Sequence, residues 1–238
     1  RMLHCLLRPK KCLTSKNTVF EIYSVLNNKV KINAITAVAI VAAVIFIDQS
    51  IKFYVKTNFA LHEAHEITSW MYLYFVENSG MAFGVNIAGT LILTVARLIF
   101  VGFLIYYISR ISRKNVPRGY IICISLIIAG ALGNIIDNAI YGMIFSESTD
   151  YNVASLVSSG EGYGSFMSGK VVDMFYFPII DTYLPYNLPL IGGEHFVFFA
   201  PIFNFADSAI TCGSLCVILF YRKYLSATSK SSHTQESK

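Results

Sequence analysis

Residues 34–54 read AITAVAIVAAVIFIDQSIKFY, a nearly unbroken apolar run that meets Asp48-Gln49 close to its end. A helix needs about 20 mostly apolar residues to cross the hydrocarbon core of a bilayer, so this run is expected to be a membrane span. Three further stretches qualify: Ala88–Ile108, Tyr120–Ile136 and Phe203–Tyr221. The expected fold class is an all-α membrane protein of four transmembrane helices, with a small β-sheet and loop region on the non-cytoplasmic face. Composition agrees. Of 238 residues, 55% are hydrophobic and 14% charged, whereas soluble domains carry about 25% charged residues. The mean hydropathy is +0.55.

The basic residues are placed unevenly. Seven Lys/Arg fall in residues 1–31, four in Arg110–Arg118 and four in Arg222–Lys238, which together is 15 of 19, against two acids, Glu21 and Glu236. These segments alternate with the apolar runs, as cytoplasmic loops do, and basic patches arranged this way argue against a nucleic-acid partner. Both termini are therefore expected in the cytoplasm, with residues 55–87 and 137–202 on the other side. The domain reading follows: a basic cytoplasmic segment over 1–33, a membrane domain over 34–222 containing an insertion loop at 141–170, and a polar cytoplasmic tail over 223–238. Residues 1–32 contain no short apolar core with a small-residue cleavage site, so no secretory signal peptide is expected there. The five cysteines show no metal-ligand spacing and read as idle or buried thiols. His62 and His65, beside Glu63 and Glu66, read as solvated loop residues rather than metal ligands.

Residues 67–83 alternate Trp70, Tyr72, Tyr74 and Val76 with Met71, Leu73 and Phe75, and then reach a turn at Asn78-Ser79-Gly80. That period predicts strand, a small sheet lying on the membrane surface. Residues 141–170, rich in Ser and Gly, read as an exposed loop.

Ionisable groups near a membrane span are costly and mark function. Asp48, Gln49, Arg97, Asn134, Asp137, Asp173, Asn204 and Asp207 form that set, and all but Arg97 fall at or beyond the non-cytoplasmic helix ends. Two carboxylates held close cannot both ionise easily; one keeps a proton while the other acts as base, and such a pair can activate water against a peptide bond. The plainer alternatives are a helix-end cap or interfacial charge for Asp48 and a purely structural acid for Asp137. Phe196–Phe203 reads as an interfacial aromatic belt. Arg97, mid-span, pairs with Asp137 or Asp48, or else snorkels.

The same residues sit in ordered strings: Asp48-Gln49; Asn78-Ser79-Gly80-Met81-Ala82-Phe83-Gly84; Gly133-Asn134-Ile135-Ile136-Asp137; Val171-Val172-Asp173; and Phe203-Asn204-Phe205-Ala206-Asp207-Ser208-Ala209. Over about residues 35–222 this series resembles the lipoprotein signal peptidase (signal peptidase II) family. The resemblance implies a membrane aspartyl endopeptidase of the bacterial cytoplasmic (inner) membrane. Such an enzyme removes signal peptides from diacylglyceryl-modified prolipoproteins ahead of the lipidated cysteine. It implies Asp173 and Asp207 as the catalytic dyad, with Asp48, Gln49, Asn78, Gly80, Asn134, Asp137 and Asn204 binding substrate or supporting the acids, and Ala82, Phe83 and Gly84 completing the surface-sheet motif. It implies a lipid-modified substrate and membrane lipid as partners, a monomer, and neither cofactor nor metal. Two departures stand out. Asn138 occupies the position after Asp137 where the family usually has Arg, and the gap from Asp137 to Asp173 is much longer than usual.

Overall fold

The computed structural model describes residues 16–80, 89–113 and 116–229. Helix α1 runs over Lys16–Asn58, α2 over Gly89–Ile111, α3 over Arg118–Ile136, α4 over Phe205–Phe220 and α5 over Arg222–Ser229. Among the described residues three helical stretches are long and apolar enough to cross a membrane: Asn27–Asn58, Leu91–Ile111 and Arg118–Ile144. The apolar helix α4 is shorter, at 16 residues.

Helix α3 is the axis of the bundle and packs against α1, α2 and α4. Its apolar residues face every neighbour: Tyr120, Ile121, Ile124, Ile128 and Ala131 are all buried, against Val101, Leu104 and Val217. Glycines permit the close approach of α4. A Cβ on Gly130 would lie 2.2 Å from the Ala206 carbonyl, and one on Gly133 2.6 Å from the Asp48 carboxylate. Small residues at such crossings let backbones meet where lipid supplies no hydrophobic drive. By contrast α1 and α2 turn large apolar side chains outward, with Val38 69%, Phe46 75% and Ile99 70% exposed, as helices bordered by lipid do.

Four strands form one antiparallel sheet in the order β1 (Ala64–Thr68), β2 (Met71–Asn78), β3 (Val171–Tyr176), β6 (Ile202–Phe203); β4 (Ile180–Tyr183) and β5 (His195–Phe198) pair as a separate hairpin. The expectation of an all-α protein is thereby corrected. The sheet is part of the framework, because it carries one of the candidate acids and runs directly into α4. The alternation gives strand over Ala64–Thr68 and Met71–Asn78, with Ser69 and Trp70 forming the turn between β1 and β2, and residues 81–83 lie outside the described residues. Beyond β2, Gly80 takes φ +85°, a value that favours glycine.

Boundaries differ from expectation at several places, and helix α1, which runs over Lys16–Asn58, extends well beyond the expected span at residues 34–54. Helix α4 begins at Phe205 rather than Phe203, because Ile202 and Phe203 pair with Tyr176 and Phe175 of β3. Past Ile136 the helix widens into a π-turn over Asp137–Tyr141 and a last helical turn at Gly142–Ile144. Such widenings are often found at functional sites. The segment that follows is less exposed than its composition suggests, since Tyr141, Phe145, Ser148 and Ala154 are buried.

Candidate active site

The sequence Asn204-Phe205-Ala206-Asp207 is a helix start in miniature. Asn204 is the N-cap of α4, and its side-chain oxygen accepts the Asp207 N–H at 2.9 Å. Asp207, three residues on, reaches back to the Asn204 N–H at 3.4 Å, which closes a capping box. The cap leaves the Asn204 amide NH2 free to turn elsewhere. It donates to Asp173 Oδ1 at 2.6 Å and to Asn134 Oδ1 at 3.1 Å.

Asp173 arrives from β3. The pairing of Phe175 with Phe203 carries this strand alongside the residues just before the α4 cap. On its other edge Val76 of β2 faces Asp173, and the Asn78 amide donates to Asp173 Oδ2 at 3.3 Å. Asn78 is itself fixed by the turn, accepting the Gly80 N–H at 2.8 Å. Asn134 of α3 donates to Asp207 Oδ1 at 2.8 Å. Asp173 and Asp207 are thus held around one pair of amides, Asn134 and Asn204, and among the described residues no ion pair reaches either acid. Burial, and then the neighbouring charge of Asp207, pushes the Asp173 carboxyl up to about 7 from an ordinary 3.8.

Behind this pair lies a second, fully buried group. Lys52 Nζ is 3.0 Å from Asp48 Oδ2, 2.7 Å from Asp137 Oδ2 and 2.8 Å from Asn134 Oδ1. Gln49 donates to Asp137 at 2.8 Å and Asp48 at 3.1 Å. Asp48 caps α4 from another helix, its Oδ1 accepting the Ala206 N–H at 2.9 Å. Asp137 accepts the Val172 N–H at 3.3 Å and so holds the residue beside Asp173. The cap reading of Asp48 and the structural reading of Asp137 are the ones this geometry supports.

Every candidate residue among those described, Asp48, Gln49, Asn78, Gly80, Asn134, Asp137, Asp173, Asn204 and Asp207, is accordingly drawn into one connected network. Met81, Ala82, Phe83 and Gly84 lie outside the described residues. Arg97 forms an ion pair with neither Asp137 nor Asp48; its Nη1 donates to Asn138 Oδ1 at 2.8 Å, and so touches the position where the family pattern has its own cation. His62 meets Asp150 and His65 meets Glu63, each at 2.7 Å. Among the described residues no three His, Cys, Asp or Glu converge as a metal site.

Lys52, inside this network, and Lys56, one turn further along α1, are charged residues that the sequence reading does not single out. Both are fully buried. The signal was present: Asp48, Lys52 and Lys56 recur every four residues and so share one helix face.

A family profile described as "Signal peptidase (SPase) II", the aspartic peptidases of family A8, matches residues 40–222. A lipoprotein signal peptidase of Porphyromonas gingivalis is 44% identical over 189 residues, 79% of this chain and 83% of that protein. One from Amoebophilus asiaticus is 32% identical over 192 residues, 76% of this chain and 75% of its own. The fold is similar to a solved bacterial membrane enzyme at TM-score 0.54 and 23% identity, covering 82% of this chain and 90% of that one. The chain belongs to the signal peptidase II family of membrane-embedded aspartic peptidases.

Proposed function

We propose that Asp173 and Asp207 are the catalytic pair of this signal peptidase, which cleaves signal peptides from prolipoproteins. The observation that carries the assignment is the shared amide cradle: two carboxyls held by Asn134 and Asn204, neither in an ion pair among the described residues, with one of them retaining a proton near neutrality.

In this mechanism Asp173 keeps its proton and donates a hydrogen bond to the scissile carbonyl. Asp207 takes a proton from a water that attacks the carbonyl carbon. As the tetrahedral intermediate collapses, Asp207 returns that proton to the departing amide nitrogen and the C–N bond breaks. Neither carboxylate forms a covalent bond to substrate. Asn204 and Asn134 keep the two acids oriented, and Asn78 fixes the second oxygen of Asp173.

The preprotein is modified with diacylglycerol and enters sideways from the bilayer, its acyl chains against the lipid-facing helices. Helix α4 acts as the fourth span. At 16 residues it covers about 24 Å, less than the ~30 Å hydrocarbon core, and the position of Asp207 in its first turn, beside the sheet, supports a site near the bilayer boundary. The three basic segments support cytoplasmic termini and an active pair at the opposite face. One chain supplies both acids and all their supports, which fits a working monomer.

The test is a gel-shift assay of a lipid-modified precursor with wild-type enzyme and with Asp173→Ala and Asp207→Ala. Both variants are expected to insert and to leave the precursor uncut. Substantial processing by either one removes it from the pair.

A further inference from the structure

One buried charge group lies outside the catalytic mechanism. Lys56 sits on α1 one turn beyond Lys52, ion-pairs with Glu77 of β2, donates to Ser148 Oγ at 2.7 Å and lies 4.9 Å from the Tyr163 ring centre. The other Glu77 oxygen is 3.1 Å from Lys170 Nζ. The Lys170 backbone N–H donates to the Tyr163 hydroxyl at 2.9 Å. This Lys–Glu–Lys group therefore grips both arms of the long segment between Asp137 and Asp173, the outgoing arm at Ser148 and the returning arm at Tyr163 and Lys170.

Its position in the sheet gives the group its meaning. Glu77 pairs with Val172 and Val76 with Asp173 in the β2–β3 ladder, so the charges act one residue from a catalytic acid. The same ladder has an irregular register between Leu73 and Val76. A one-residue slip of β3 would turn Asp173 to the opposite face of the sheet. The returning arm is pinned again at Gly169, which donates its N–H to the Asn138 carbonyl at 2.8 Å and accepts from the Asn138 amide at 2.8 Å. A Cβ there would come within 2.1 Å of the Asp137 carbonyl. Lys56 and Glu77 are buried while Lys170 is half-buried at the edge; buried ion pairs add little net stability over apolar groups of the same volume, so the group fits a role in fixing geometry.

We propose that Lys56, Glu77 and Lys170 are positioning residues: a latch through which segment 142–170 sets the β2–β3 register and so aims the Asp173 carboxyl. The latch rests on the Asp173/Asp207 reading and acts only through it.

The test measures kcat and KM on a lipid-modified precursor for Lys170→Met and for the double variant Lys56→Met/Glu77→Met, which leaves no unpaired buried acid. In both, kcat is expected to fall about tenfold or more with KM within about twofold, because displacing a reacting group by a fraction of an ångström acts on the chemical step. Lys170→Arg is expected to restore the rate. Glu147→Gln, at the exposed acid 3.9 Å from Lys170, is expected to behave as wild type. Wild-type kcat in both latch variants, or a change confined to KM or Tm, overturns the latch. Asp173→Ala, run alongside, separates the two readings. If it still cleaves, the catalytic assignment fails; if it is dead while the latch variants are normal, the latch alone fails.

Discussion

The bundle holds two groups of paired acids that share the side chain of Asn134, and they are built on opposite principles. Asp48 and Asp137 are fully buried around Lys52, and they also accept from Gln49, Ala206 N–H and Val172 N–H. Asp173 and Asp207 accept hydrogen bonds from amides and a backbone N–H, and among the described residues no cation lies at ion-pair distance from either, Lys52 and Arg97 acting on them only from further off. Asn134 bridges the two, accepting from Lys52 and donating to Asp207. A cation at contact distance holds carboxylates as fixed structural charges. Where the cation is withheld, burial and mutual repulsion leave one proton to be shared, and a proton that can move is what hydrolysis needs. The residue type is the same in both places, and the neighbours decide what it does.

That contrast is sharpest in the largest expected effect. Asp207→Ala is expected to lower cleavage by about 10³-fold or more while leaving Tm nearly unchanged, read from single-turnover assays and thermal denaturation in detergent. Lys52→Met is expected to do the reverse in kind, destabilising the fold by about 3–5 kcal/mol because two buried acids lose their cation; a Tm like that of wild type would mean that Lys52 is not the structural centre. Asn204→Ala removes contacts made by one side chain, among them the α4 cap and the amide on Asp173. Loss of the α4 cap costs about 1 kcal/mol, and loss of the amide on Asp173 lowers kcat as well, so a fall in Tm with unchanged kcat would separate the two jobs.

The smallest effect is in pH dependence. The folded Asp173 carboxyl sits near 7, above its ordinary 3.8. The folded state thus binds the proton more tightly than the unfolded one, and this group contributes stability at low pH that is lost as pH rises from about 4 through about 7. Asp173→Asn lacks that slope. The Tm difference between wild type and Asp173→Asn is expected to move against wild type across this window; parallel curves would place the carboxyl in an ordinary environment.

Much of this arrangement was legible in the sequence. The spans could be read because lipid demands long apolar runs, and the acids because charge beside those runs is costly. The strings around Asp137, Asp173 and Asp207 carried the family. Lys52 and Lys56 were not read. A lysine near the end of an apolar run usually extends its ammonium to the interface, and only the four-residue spacing from Asp48 shows that these two face inward. For Arg97 the sequence leaves open a pairing with Asp137 or Asp48 and a side chain that snorkels or bonds backbone carbonyls, whereas the fold puts the Asn138 side chain in reach. The start of α4 was set too early, since nothing local to Ile202-Phe203 announces a pairing with Phe175 and Tyr176, which lie 27 or so residues upstream. Long-range pairing of two residues leaves no period to read.

The account turns on one shared proton at Asp173, which an infrared pH titration of the carboxyl absorption can follow directly in wild type and Asp173→Asn. The expected result is a protonated carboxyl at pH 6 that titrates away at about pH 7 and is missing from Asp173→Asn. A carboxyl signal already lost well below that pH, or one that survives unchanged in Asp173→Asn, would contradict it.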